Sequence, residues 1–526
     1  MTDLLLTLGA AHWLLPALVT WPLIAALLVR MAGHDVAAAN DADAEGTRRG
    51  PDARLLTLLA LSIEALLGLA VWGAYDPSVT TWQLRVDLPW LVDLGASFSL
   101  GVDGLSMPMV VLTAVLMPLA LIGSWNNVRI RTPAFGALVL MLTSGLIGVL
   151  VSLDLLLFYL AWELMLIPTY FLIGIWGTGR AARASLRYVV FTLGGSLLML
   201  VAIMALWNLG QSSSFLLDHL LTVRLDRETQ IYMFVAFFSA FAIKSAFVPL
   251  HTWLPDAQSS APTFAAVTLG LKVGVYAMLR FAMPLFPAAV NDPAIRTTIL
   301  VLAVVAILYG AFLAMSQSDI KRLISYSSIS HLGFIMLGAF ALTQQSVEGS
   351  VMIMVNHGIT TSVLFLLAGI LHDRLGTTDL RAMGGLARSA PLFSVILTLA
   401  VLSTIGLPGT NGFVGEFLVL LGTYSEQPVL AVIATTGVIL AAVYGLRMLQ
   451  QVLFEPADAT AVTRAAELTR AEQMVMGVFA VAILWVGLAP GFVLSRVDGA
   501  SRRVVESARF GPNADAPRAA LAPLRK

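Results

Sequence analysis

Six ionisable residues fall near the middle of long apolar runs: Glu163, Lys244, Lys272, His331, His357 and Glu416. A charge at the centre of a membrane helix costs about 2.5–3.5 kcal/mol on insertion scales. The two glutamates and two lysines together would cost on the order of 10 kcal/mol if unpaired, so they must be paired, hydrated or neutral. The residue types narrow the chemistry. The chain has four lysines, Lys244, Lys272, Lys321 and Lys526, against twenty-seven arginines. Arginine keeps its proton in any protein setting, whereas a buried lysine can give it up. Two of the scarce lysines stand at mid-span, where a removable proton is what arginine could not offer. Histidine can pass a proton between its two ring nitrogens. Lysine, histidine and glutamate at one depth are therefore the parts of a proton relay that requires no redox group. Two other readings compete: any one buried Glu or Lys could be half of a structural ion pair, and His331 with His357 could ligate a haem.

The elements that must position these groups follow from composition. The 526 residues are 58% hydrophobic and 12% charged, with mean hydropathy +0.87; a soluble domain carries roughly 25% charge. The class is an all-α polytopic membrane protein, since a barrel would show weak alternation over about ten residues in place of continuous apolar runs. Zero formal net charge gives no sign of a nucleic-acid partner, and zero cysteines exclude disulfides, cysteine-ligated iron–sulfur clusters and c-type haem attachment within this chain. No cofactor or metal site is expected. The first apolar stretch, residues 14–29, lacks a preceding basic region and a cleavage site, and reads as a permanent span.

About fourteen apolar runs are long enough to cross a ~30 Å hydrocarbon core, centred near Trp21, Glu64, Leu112, Leu142, Trp162, Leu197, Ala242, Lys272, Val304, His331, Ile359, Gly406, Val438 and Ala482. A polar insert at 33–52 reads as a flexible loop, and residues 75–104, with Trp82 and Trp90, as an extended or hairpin surface segment. Basic residues gather in alternate loops, at Arg48, Arg49 and Arg54, Arg129 and Arg131, Arg180, Arg183 and Arg187, Lys321 and Arg322, and Arg374, Arg381 and Arg388. The positive-inside rule then puts both termini outside, with Arg502, Arg503 and Arg509 as a local violation.

Two spans are interrupted, the seventh near Pro249 and the twelfth near Pro408. Broken helices at matching positions five spans apart point to two inverted five-helix repeats. The divisions are 1–132 (three spans and the hairpin), 133–283 and 295–454 (the repeats) and 455–526 (last span and tail). Pro249 and Pro408 with His251 and Asp256 are candidates for gating or hydration, and His251 and Asp256 could equally cap the broken helix. Glu64, mid-span in the second run, could be a seventh relay member but is read as facing a partner subunit and is left out of the site; Arg447 is read as a residue snorkelling from a span end.

The segments FYLAWELMLIPTYFLIG, KSAFVPLHTWLPDAQSSAP, LKVGVYAMLRF, SDIKRLISYSSISHLGF, GLPGTNGFVGEF and GVDGLS resemble the antiporter-like, proton-translocating membrane subunits of respiratory complex I, from about Phe98 to Phe454. The same superfamily includes Mrp-type cation/proton antiporter and membrane-bound hydrogenase subunits, which stand as alternatives. Glu416 is similar to the branch that carries glutamate on the broken twelfth span, where sister subunits carry lysine. The resemblance implies a subunit of NADH:quinone oxidoreductase in a bacterial inner membrane, with sister membrane-arm subunits as partners and quinone reduction on other polypeptides. It also implies a coupling ion pair at Glu163 and Lys244, a relay at Lys272, His331 and His357, and a terminal group at Glu416. One departure is Gln258, where the family segment WLPDAH ends in a histidine; this position cannot carry a proton.

Overall fold

The computed structural model describes residues 10–35, 51–209, 214–456 and 467–511. Most of the 33–52 insert and the end of the tail, with Lys526, lie outside the described residues. The helices that matter below are α1 (Ala10–Ala32), α2 (Ala53–Ala74), α3 (Met107–Gly123), α4 (Thr132–Val151), α5 (Leu155–Trp176) and α6 (Ala181–Leu209). They continue with α7 (Arg227–Ser245), α8 (Trp253–Ser260), α9 (Thr263–Leu285), α10 (Pro293–Met315), α11 (Ile320–Ala341) and α12 (Gln344–Leu375). The last are α13 (Pro391–Thr404), α14 (Asn411–Glu426), α15 (Pro428–Phe454), α16 (Arg470–Leu488) and α17 (Gly491–Phe510). Among the described residues, eleven helices are long and apolar enough to cross a membrane; α3 and α13 are apolar but shorter.

Burial sorts these helices into a centre and a rim. The apolar stretches of α9, α11 and α12 are 94%, 94% and 100% buried, against 33% for α2 and α15 and 28% for α16. A helix apolar all round can occupy either place; what distinguishes the central three is their load of small and polar residues. Ser325, Ser328 and Ser330 of α11 and Ser350, Thr360 and Ser362 of α12 are buried, and each bonds a backbone carbonyl or another side chain. Glycines let the helices close in. A Cβ at Gly333 would stand 2.7 Å from the Ala303 carbonyl of α10, and one at Gly349 would stand 2.6 Å from the Val419 nitrogen of α14. Such small-residue contacts are how membrane helices pack without a hydrophobic drive between them.

Both expected breaks are present. The chain leaves α7 at Ala246, whose φ is +58°, and resumes in α8; it leaves α13 at Thr404 and resumes in α14, with Gly406 at φ +71° and Gly409 at +92°. Glycine tolerates that region without the Cβ clash other residues meet. The break at α13–α14 is stitched by side chains: Ser403 donates to the Asn411 side chain, and Asn356 of α12 donates to the Asn411 carbonyl. A third interruption was not anticipated. Within α9 the helix stops after Thr268 and restarts at Val273, so Lys272 is the residue before the restart. Gly270 inside an otherwise apolar run carried too little signal to mark it.

Residues 83–102 form the expected hairpin, β1 (Gln83–Leu91) against β2 (Ala96–Val102), antiparallel. Beyond the last expected span the tail forms a further helix: α17 is amphipathic, burying Val493, Val497, Ala500, Val504 and Ala508. Three of its four arginines pair with carboxylates. Arg503 pairs with Asp103 at 3.0 Å, Arg509 with Glu426 at 2.7 Å and Arg502 with Asp498 at 3.6 Å. Lys321, counted above as a loop charge, is buried at the start of α11. Glu64 also departs from expectation. Its side chain is 0% exposed, packed inside the chain and facing no partner, with neither carboxylate oxygen hydrogen-bonded. Its face of α2, shared with Leu61, Gly68 and Val71, is the one turned inward.

Candidate functional site

The site grows from α12. Its N-terminus is fixed by a capping box between Thr343 and Ser346, and its middle places His357 beside Thr361, whose hydroxyl is 3.1 Å from Nε2. His331 of α11 lies edge-on to His357, ring centres 5.7 Å apart. On its other side, His331 Nδ1 is 3.0 Å from a carboxylate oxygen of Glu416. Glu416 is in the second turn of α14, and its second oxygen lies 2.8 Å from where a Cβ on Gly406 would stand. The carboxylate therefore rests against the bare backbone of the break. Three helices thus bring His357, His331 and Glu416 into one line, and all three are buried. A cavity of ≈ 20 Å³ opens on them, lined also by Asn356, Thr360 and Ser403, enough room for one water.

Lys272 enters the line from the interruption of α9. It is 2% exposed, and the interruption packs on α12 one turn from His357, where a Cβ at Gly270 would stand 3.6 Å from the Thr361 methyl. Beyond it lies a second cavity of ≈ 20 Å³, walled by Thr268, Leu271 and Val273 of that interruption together with Tyr188 and Lys244. The Lys244 ammonium donates to the Tyr188 hydroxyl at 3.0 Å. It sits 5.7 Å from the Trp162 ring centre and 5.4 Å from that of Tyr188. Aromatic faces attract a cation through their quadrupole, which gives Lys244 a seat without a carboxylate.

The expected ion pair is accordingly open: no contact within 4.0 Å joins Glu163 to Lys244, and one Glu163 oxygen is buried without a hydrogen bond. Tyr159, one turn before it, faces that carboxylate. The gating candidates separate. Asp256 neither caps the break nor stands free in it; it is held between Arg187 of α6 and Arg322 of α11, the latter at 3.1 Å. His251 is buried against Tyr309, ring centres 5.2 Å apart, with Nδ1 unbonded. Pro249 and Pro408 are exposed on the outer surface of the chain. Gln258 is fully buried and donates to the Ala266 carbonyl at 3.4 Å.

Sequence reasoning missed the neutral lining. Tyr188 and Trp162 seat Lys244; Asn356, Thr360 and Thr361 surround His357, within about one turn of it along NHGITT, a pattern that could have drawn attention. It also missed a buried charge cluster: Arg280 of α9 pairs bidentately with Asp103, which Arg503 reaches as well. Arg280 is 6% exposed and stands in a π-helical turn at Met278–Ala282. Asp103, within the GVDGLS segment, is the carboxylate that neutralises this arginine.

Residues 152–441 match the family model described as NADH:quinone oxidoreductase/Mrp antiporter, TM. NADH-quinone oxidoreductase subunit M of Pseudomonas aeruginosa is 38% identical over 461 residues, 84% of this chain and 90% of that protein. A chain of respiratory complex I from Thermus thermophilus superposes with a TM-score of 0.84 at 32% identity, over 93% of this chain and 99% of that one. A chain of the Mrp complex from a Dietzia species has the same fold, with a TM-score of 0.79 at 20% identity, over 94% of this chain and 100% of that one. The chain belongs to the transmembrane family shared by NADH:quinone oxidoreductase and the Mrp antiporters, within the subunit M group.

Proposed function

We propose that this chain is a proton-translocating, antiporter-like subunit of a bacterial NADH:quinone oxidoreductase, spanning the inner membrane and itself carrying no redox chemistry. The observation that carries the reading is the line of titratable groups at the packed centre of the molecule. It runs from Lys244, on a water-sized cavity walled also by Leu271 and Val273 on either side of Lys272, to Lys272 itself and then to His357, His331 and Glu416. In this reading a signal from a neighbouring subunit draws Glu163 toward Lys244 or releases it. Lys244 exchanges a proton with Lys272 by way of water in the cavity at Lys244. The proton continues by the two histidines to Glu416, whose place against the α13–α14 break lets it meet water on one side.

Fourteen crossings in two inverted repeats, residues 133–283 and 295–454, fit this layout. The two broken spans then occupy equivalent places, and the arginines paired on α17 are consistent with both ends of the chain lying on the hairpin side. Assembly with neighbours has its own support. Leu407 is 43% exposed, and Pro249 and Pro408 are exposed too, yet irregular backbone is not tolerated against lipid. Sister subunits covering both breaks would resolve this.

The deciding measurement uses the assembled complex in sealed vesicles. Lys244→Met and Glu163→Gln are expected to depress NADH-driven proton pumping and quinone reductase activity together. Full pumping by an assembled Lys244→Met complex would sink the assignment.

A further inference from the structure

Away from the relay, an apolar groove of ≈ 450 Å³ runs between α2, α3, α16 and the start of α17. Its walls are almost entirely carbon, and it is open to the outer surface, where Leu69, Trp485 and Phe492 are 46%, 50% and 37% exposed. Along α3 it extends from Pro108 to Leu119, a length of ~16 Å at the helical rise. That is close to one leaflet of a ~30 Å hydrocarbon core. The floor is Val355 and Ile359 of α12. These are one turn apart, so His357 between them points the opposite way, toward His331.

The mouth of the groove is aromatic and cationic. Phe492 packs 4.8 Å from Trp72 and 4.6 Å from Trp485. The Arg496 guanidinium lies 4.3 Å from the Trp72 ring centre and 4.6 Å from that of Phe492. One of its nitrogens donates to the Phe492 carbonyl at 2.8 Å, while Nε is buried with no partner. The other arginines of α17, Arg502, Arg503 and Arg509, each have a carboxylate within 4.0 Å; among the described residues Arg496 has none. An amphipathic helix lying at the interface puts such a cation at headgroup depth.

We propose that this groove is a phospholipid site, with one acyl chain lying along α3 behind the relay helix and the phosphate bound by Arg496. The cation left without an acid calls for an anion at the mouth, and the carbon walls call for a hydrocarbon below it. A helix of another subunit spanning the same length would need on the order of 1,500 Å³, several times the groove.

The test uses the assembled complex reconstituted with a phosphatidylglycerol bearing a photoactivatable group on its acyl chain, with labelled peptides mapped by mass spectrometry. Labelling of α3 and α16 is expected to exceed, several-fold, that of Leu197 and Val201, which are exposed on α6. Arg496→Gln should lower the groove signal several-fold. Ala482→Phe, which fills the groove and keeps the arginine, should abolish it, and neither change should alter α6. A diacylglycerol carrying the same photoactivatable chain should label the groove weakly and be insensitive to Arg496→Gln. Groove labelling no higher than on α6, or unchanged in both variants, would overturn the proposal. So would cross-links from the groove to another polypeptide.

Discussion

At the scale of single residues, two kinds of buried charge serve different ends. Arg280 has two bonds to Asp103 and no freedom to change state, because guanidinium keeps its proton. Removing one partner of such a pair leaves the other uncompensated, at a cost of about 3–5 kcal/mol. Asp103→Asn is therefore expected to lower the thermal stability or the yield of the assembled complex, read by thermal-shift and native gel, before any effect on pumping can be seen. Glu416 is the opposite case, since it touches a histidine and an open cavity. Glu416→Gln keeps the shape and a hydrogen bond but removes the proton site. Pumping is expected to fall on the order of tenfold or more, with assembly intact; unchanged proton uptake in vesicles would show that His331 passes its proton elsewhere. The types of these residues were legible in the sequence. Their partners were not, because Tyr188, Trp162 and Asp103 meet their charges across the fold.

At the scale of elements, the interrupted helices do the positioning. Gly406 has φ +71° and no room for a Cβ, which would stand 2.8 Å from the Glu416 carboxylate. Gly406→Ala combines left-handed strain of roughly 1–2 kcal/mol with displacement of that carboxylate. It is expected to cut pumping while leaving the complex assembled. Gly477→Ala on α16 meets nothing within 4 Å and should pump as the parent does, which makes it the matched control. Two of the three interruptions were legible from Pro and Gly clusters. The one at Lys272 was not, since a lone glycine in an apolar run is usually carried inside a helix. Tertiary packing overrode propensity there, the interruption being buried against α12.

At the scale of the whole molecule, charges join elements distant in sequence. Asp256 ties α8 to α6 and α11 through partly exposed arginines, and such pairs contribute ~1 kcal/mol or less and weaken with salt. Asp256→Asn should lower the melting temperature slightly at low ionic strength and hardly at all at high salt. A large, salt-independent loss of pumping would instead make Asp256 part of the proton route. Topology can be read directly, because the chain has no cysteine. A cysteine at Ser78, beside the hairpin, should react with an impermeant maleimide from the outer face. One at Thr178 should react only after permeabilisation.

The sequence by itself determined the membrane class, the apolar runs, the two proline-marked breaks and the six relay candidates. Each of these is written in local composition: long apolar stretches, helix breakers, and ionisable types too costly to place at mid-span without use. Only the tertiary structure decided which groups meet. It joined His331 to Glu416, left Glu163 apart from Lys244, enclosed Glu64 and paired three of the four arginines of α17. The physical reason is that a charge's neighbours come from helices far along the chain. Their register is set by small-residue packing and side-chain hydrogen bonds, which apolar periodicity does not encode.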